Sequence, residues 1–247
     1  METITLEKKG AVAWVWLDRP RRLNALNGTS LTELRQTFEE LDRDEAIKAI
    51  VLAGRGPVFC AGFDVTWMSP LDTATVAREV SGVEAVYDVI ESCTQPLIAA
   101  VQGPAMGGGL LLTLVADFCL ASEEASFGAP EIKIGIFPNL RLVPRLERIV
   151  GLRAAKRIVL TGDPVDATTA QVMGLAERVL PVETLYSEAG ALAETLSSLP
   201  PNALQLAKRA FSRAHSQDFV TWEQEKFTDC WARPERAAAM QAFLGRK

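Results

Sequence analysis

Three stretches of this chain carry residues whose types and spacing could do chemistry. The first is Gly107, Gly108 and Gly109, set between the apolar run 97–101 and an apolar, helix-length segment. Each glycine inside an element costs roughly 0.5–1 kcal/mol in backbone entropy. Such a cluster suits a backbone that must approach something closely or turn where a side chain would block it. A helix starting there would leave its first N–H groups unpaired and directed at an electron-rich oxygen. Close helix–strand packing without a ligand is an equally open reading. The second stretch, Phe59-Cys-Ala-Gly-Phe-Asp64, reads as a strand end turning at Gly62. The third, Phe127-Gly-Ala-Pro-Glu-Ile132, sets one acid, Glu131, among apolar residues. A carboxylate in such surroundings is disfavoured as an ion and suited to acid–base work near neutral pH. An ordinary surface acid would produce the same local sequence.

Other chemistries are excluded. The glycine cluster has no following Lys-Ser or Lys-Thr and no G-x-G-x-x-G pattern, so it is not a nucleotide loop. The chain has 1 His, His215. Histidine-rich metal sites are therefore ruled out, and any catalytic triad would have to use this residue. It falls in a polar-faced helical segment and reads as a surface side chain. No metal site is expected.

The elements that must position these groups follow from composition and periodicity. The 247 residues are 48% hydrophobic with a net charge of −5. That suits one large domain, or a core with an appendage, and gives no nucleic-acid surface, since no Lys/Arg-rich run occurs. The N-terminus carries acids where a signal peptide has bases, and no apolar run is long enough to span a bilayer. Cys60, Cys93, Cys119 and Cys230 lie far apart. They read as reduced thiols of a cytoplasmic protein.

A hairpin is expected from residues 3–8 and 11–17 around Gly10, then a basic turn at 19–22. A helix capped by Thr29 or Ser30 runs to about residue 42, with Leu31, Leu34, Phe38 and Leu41 at helical spacing. Strands are expected at 48–53, 58–61, 97–101, 117–121, 125–128 and 176–180, with a loop at 63–71 and a helix at 73–91. Beyond residue 140 the pattern is helical over 140–150, 152–160, 167–173, 183–198, 201–216, 219–232 and 235–244. Alternating strands and helices followed by helices alone predict an α/β core with a helical tail. Trp222 and Trp231, with Phe219, Phe227 and Phe243, give the tail enough apolar surface for an interface.

Taken together, these stretches resemble the crotonase (enoyl-CoA hydratase/isomerase) superfamily over almost the whole chain. The matching segments, in order, are Leu23-Asn-Ala-Leu, Val58-Phe-Cys-Ala-Gly-Phe-Asp, Pro96-Leu-Ile-Ala-Ala-Val-Gln-Gly, Met106-Gly-Gly-Gly, Ala116-Asp, Phe127-Gly-Ala-Pro-Glu and Leu160-Thr-Gly-Asp. The resemblance implies an α/β spiral of ββα units over residues 1–190 and a C-terminal helical region over 191–247 that builds trimers, often paired into hexamers. It implies an acyl-CoA thioester as substrate, with no separate cofactor. The thioester oxygen would be held by the backbone N–H groups of Phe63 and Gly108.

It also places the acid–base groups. Of the two glutamates that hydratases of this family use to add water, one position is Leu111 here and the other is Glu131. The aspartate of some isomerases is Asn139, which cannot titrate. The usual Pro-Gly-x-Gly-Gly is replaced by Pro138-Asn-Leu-Arg-Leu. One carboxylate suffices to shuttle a proton, so the resemblance favours Δ3,Δ2-enoyl-CoA isomerisation by Glu131. A hydratase of a specialised acyl-CoA, using water held by Asn139, C–C or thioester cleavage, and a catalytically silent acyl-CoA-binding subunit are the alternatives.

CoA would run along Arg22, Leu23 and Ala25 and along Ala61, Phe63, Asp64 and Val65. Met106, Gly107, Gly108, Leu111, Pro130, Glu131 and Asn139 would meet the acyl end, with Leu112, Trp67, Met68 and Leu140 as further pocket candidates. Phe243 and Arg246 would reach the adenine end from a neighbouring subunit.

Overall fold

The computed structural model describes residues 1–213 and Glu225. Strands β1 (Ile4–Lys9) and β2 (Val12–Leu17) form the expected antiparallel hairpin, turning at Gly10. A 3-10 turn at Pro20–Arg22 leads to α1 (Gly28–Arg43). The cap of α1 is Asn27, not Thr29 or Ser30: its side chain accepts from Ser30 N at 2.9 Å. Asparagine at this position satisfies one of the helix's orphan donors. After β3 (Ala49–Gly54), a short α2 (Val65–Met68) stands where a loop is expected, capped by Asp64. Then come α3 (Thr73–Ser92), β4 (Leu97–Val101), β5 (Ala105–Met106), α4 (Gly108–Leu114), β6 (Phe118–Ser122) and β7 (Ser126–Gly128). The remaining described elements are a 3-10 turn at Pro130–Ile134, α5 (Leu142–Val150), α6 (Leu152–Thr161), β8 (Val165–Asp166), α7 (Ala167–Val172), β9 (Arg178–Leu180), α8 (Val182–Ser197) and α9 (Pro201–Arg213).

A six-stranded sheet runs β1-β2-β3-β4-β6-β9, parallel from β2 onward, and a small sheet runs β5-β7-β8. The large sheet is covered on both faces, so its central strands are apolar throughout, as parallel strands in layered α/β proteins are. Alternation then sorts the side chains. Trp14, Trp16, Val51, Ala53, Ile98 and Ala100 pack under α8, while Val15, Ile50, Leu52, Leu97 and Ala99 face the larger core with Phe38, Tyr87 and Ile90. Trp14 and Trp16 stack with ring centroids 5.4 Å apart, and Tyr186 of α8 meets both edge-on. Small residues, Ala189 and Ala193, let that helix lie close to the sheet. The division expected near residue 190 falls inside α8, whose buried residues Leu185 and Leu196 lie on either side of it.

The strand expected at 58–61 is reduced to one bridge, Cys60 to Ala105. Cys60 pairs with Pro104 and Met106, whereas Ala61, one residue on, bonds to Leu23 O at 3.0 Å. The segment changes partner mid-way, so no ladder can extend. Residues 214–224 and 226–247, with His215, Cys230, Phe243, Arg246 and both expected tail helices, lie outside the described residues. Among the described residues no helix is long and apolar enough to cross a membrane.

Candidate active site

The site forms where three chain segments meet. The turn 22–26 runs beside 61–64 through Ala61 N to Leu23 O (3.0 Å), Leu26 N to Gly62 O (2.8 Å) and Asp64 N to Leu26 O (2.8 Å). Segment 60–62 in turn lies against 105–109. A Cβ at Gly109 would stand 2.3 Å from Cys60 O, so only glycine allows that approach. Gly107 has φ +51 and ψ −113, a conformation that L side chains rarely adopt, and its N–H donates to Gly128 O at 2.8 Å. The glycine cluster thus serves both readings drawn from the sequence: Gly109 packs, and Gly107 turns the chain.

Gly108 then opens α4, so its N–H has no partner inside the helix. Neither this N–H nor that of Phe63 donates to another backbone group of the described residues. The two residues are in contact: a Cβ at Gly108 would touch the Phe63 ring at 3.0 Å and Tyr87 Oη at 3.1 Å. Tyr87, fully buried on α3, donates to Gly108 O at 2.8 Å and fixes that peptide.

Glu131 sits in the 3-10 turn after Pro130, with its Oε1 2.7 Å from where a Gly107 Cβ would be. Its Oε2 is buried and has no hydrogen-bond partner among the described residues. Burial pushes its carboxyl above the ordinary value. An unpaired carboxylate taken out of water holds its proton more tightly and is a stronger base when ionised.

Phe63, Gly107, Gly108, Pro130 and Glu131 all line one cavity of about 510 Å³. Ala61, Val65, Trp67, Met68, Asn139 and Leu140 line it too. Leu111 and Leu112 do not: they are 1% and 0% exposed and belong to the core beneath α4. The spacing places Leu111 one turn into the helix, but its side chain enters the core packing and not the cavity. Met106 is likewise absent from the cavity wall, although its carbonyl lies 2.9 Å from a Cβ placed at Gly62.

Arg22 and Leu23 are exposed and Ala25 half-buried, alongside Ala61. Asp64 is engaged within the fold. Its carboxylate accepts from Thr66 and pairs with Arg19 at 3.2 Å, and the Thr66 hydroxyl together with Arg19 holds it below the usual carboxylate range.

Two residues that organise this region went unassigned in the sequence. Arg19 bonds Ala25 O as well as Asp64, tying the turn to the loop. Asn24, buried at φ +54, donates to Arg55 O and Val58 O at 2.9 and 2.7 Å and accepts from Arg19 N. The signal available for Asn24 was its type: asparagine tolerates the left-handed region better than most residues. Cys60, Cys93 and Cys119 are buried, free thiols pushed up to about 12 by burial, which makes them poor nucleophiles.

Fold and site define a layered α/β protein that presents backbone donors and one buried carboxylate to an apolar-walled cavity. Residues 7–247 match the model of the family described as enoyl-CoA hydratase/isomerase. The chain is 35% identical to a probable enoyl-CoA hydratase of Mycobacterium bovis, covering 100% of this chain and 96% of that one. It is 34% identical to the short-chain-enoyl-CoA hydratase of Clostridium acetobutylicum at the same coverage. Among solved structures, the enoyl-CoA hydratase of Bacillus anthracis superposes with a TM-score of 0.95 at 31% identity, covering 99% of this chain and 97% of that one. The chain belongs to the enoyl-CoA hydratase/isomerase family, has the crotonase fold, and is an acyl-CoA enzyme of that family.

Proposed function

We propose that the protein isomerises a 3-enoyl-CoA thioester to the 2-enoyl form, with Glu131 as the single base and acid. The Phe63 and Gly108 N–H groups hold the thioester oxygen as negative charge develops on it. Glu131 removes a proton from C2; the electron pair moves into the enolate and dienolate system. The same carboxyl returns the proton at C4, and the double bond ends between C2 and C3. One such backbone donor is typically worth about 10²–10³ in rate.

The observation that carries this reading is the isolation of Glu131. Its carboxyl lies against Gly107, the residue before Gly108, with one oxygen unpaired, and it lines the same cavity as Phe63 and Gly108. Leu111, the other hydratase position, is a buried hydrocarbon. Asn139 reaches the cavity wall but cannot titrate.

Hydration is the second reading. It is favoured by the relatives' names and by Asn139, whose amide can hold a water for Glu131 to activate. In either reaction CoA lies along Arg22, Leu23 and Ala25 and the 61–65 loop. Residues 191–247 form the assembly region of a homotrimer or a dimer of trimers, with Phe243 and Arg246 reaching a neighbour's CoA.

The test is Glu131→Gln, which keeps the shape and removes the titrating group. Isomerase turnover, followed as the rise of conjugated enoyl-thioester absorbance from a 3-enoyl-CoA, should fall by about 10²–10⁴. Acyl-CoA affinity should be largely kept. Unchanged turnover removes Glu131 from the mechanism. A fall of absorbance with crotonyl-CoA, without the rise from the 3-enoyl substrate, selects hydration.

A further inference from the structure

Helix α3 forms one wall of the cavity with Val76, Glu79, Val80 and Val83, residues three and four apart that share one helical face. Tyr87, one turn beyond Val83, is the residue that bonds Gly108 O. Glu79 therefore stands eight residues from the level of Gly108, about 12 Å along the helix axis at 1.5 Å per residue. It is an acid in an otherwise apolar stripe. Trp67, Leu71 and Ile134 add further apolar wall to the same cavity.

The other charged side chains of this cavity are differently engaged, and the neutral Asn139 also lines it. Asp72 caps α3 through Thr75 N at 2.8 Å, Lys133 pairs with Asp163 at 2.6 Å, and Glu131 lies at the opposite end against Gly107. Glu79 is half-buried and has no ion pair or hydrogen bond among the described residues. A plain alkyl chain laid along this wall would strip water from its carboxylate and return nothing, which is unfavourable for a charged acceptor.

We propose that Glu79 selects acyl-CoA substrates whose medium-length acyl chain carries a hydroxyl at its far end, over unsubstituted chains. The hydroxyl donates to the Glu79 carboxylate while the thioester oxygen lies at Phe63 and Gly108. The inference rests on that placement of the thioester.

Saturated thioesters, which undergo neither isomerisation nor hydration, make the test a binding measurement. Calorimetry with 10-hydroxydecanoyl-CoA and decanoyl-CoA gives the ratio of their Kd values. The full-length wild type should bind the hydroxylated ligand about tenfold or more tightly, the size of one hydrogen bond to a charged group. Glu79→Leu should bring the ratio to one or invert it, and Glu79→Gln, which still offers an acceptor, should keep part of the preference. A wild-type ratio near one, or a ratio that Glu79→Leu leaves unchanged, overturns the proposal. The placement of the thioester is judged separately by Glu131→Gln. Normal dependence on Glu131 together with an unmoved ratio sinks the Glu79 inference alone.

Discussion

Gly107→Ala tests whether turnover depends on where the Glu131 carboxyl is held. The added Cβ would lie 2.7 Å from Glu131 Oε1, against 3.4 Å for ordinary contact, a shortfall of 0.7 Å (3.4 − 2.7). The obstructed atom is the far end of a side chain, so the carboxylate gives way while the packed backbone around it stays. It must move by at least this shortfall, and further if the side chain changes rotamer. Misplacing a reacting group by about 1 Å costs on the order of 10² in rate. The backbone adds a separate cost, because φ +51 with ψ −113 lies outside the left-handed helical region and strains an alanine by about 1–3 kcal/mol, which is a loss of stability and not of chemistry. The expected result is a folded variant with kcat reduced about 10²-fold.

The decisive assay is a double-mutant cycle with Glu131→Gln. If Gly107 acts through the carboxylate, adding Gly107→Ala to the Glu131→Gln variant should change kcat by only a few-fold. An equal 10²-fold loss in both backgrounds would refute the argument and show that the alanine acts on the backbone donors instead.

Two further outcomes follow from the same geometry. Burial raises the Glu131 pKa above 4.5, so its contribution to stability is full below that pH and is lost as pH rises through the folded-state value. Glu131→Gln should therefore gain thermal stability relative to wild type on going from pH 4 to pH 7, while losing activity; a Tm difference that does not change with pH contradicts this. Arg141 holds φ +55 in the segment where the family's glycines usually stand, at about 1–2 kcal/mol of strain, and its half-exposed pairs with Glu84 and Asp88 are worth about 0–1 kcal/mol each. Glycine at this position relieves the strain, loses the pairs and adds chain entropy, so Arg141→Gly should leave chemical denaturation within about 1 kcal/mol of wild type; a loss above about 2 kcal/mol would show that the ion pairs hold this turn in place.

Much of the architecture was written locally. The hairpin at Gly10, the apolar run of β4 and the helices between residues 142 and 213 follow from period and punctuation, because a buried strand and an amphipathic helix each impose a pattern on their own residues. The glycine cluster and the isolation of one acid among apolar residues were legible for the same reason. Other features depend on neighbours distant in the chain. Residues 58–61 have strand composition, yet they form only a bridge, because Cys60 and Ala61 bond to different segments. Leu111 occupies a family position associated with water chemistry, and only packing showed that its side chain fills the core. Arg19 and Asn24 look like ordinary turn residues until the 22–26 and 61–64 segments are laid side by side.

The sequence alone determined which groups exist: one candidate carboxylate, a run of backbone able to come close, and no histidine cluster to compete with them. Tertiary structure decided what those groups can do. The same glutamate on an open surface would be an ordinary ion, since a carboxyl group's affinity for a proton is set by the water and charges it has lost, and those are removed by residues far away in the chain.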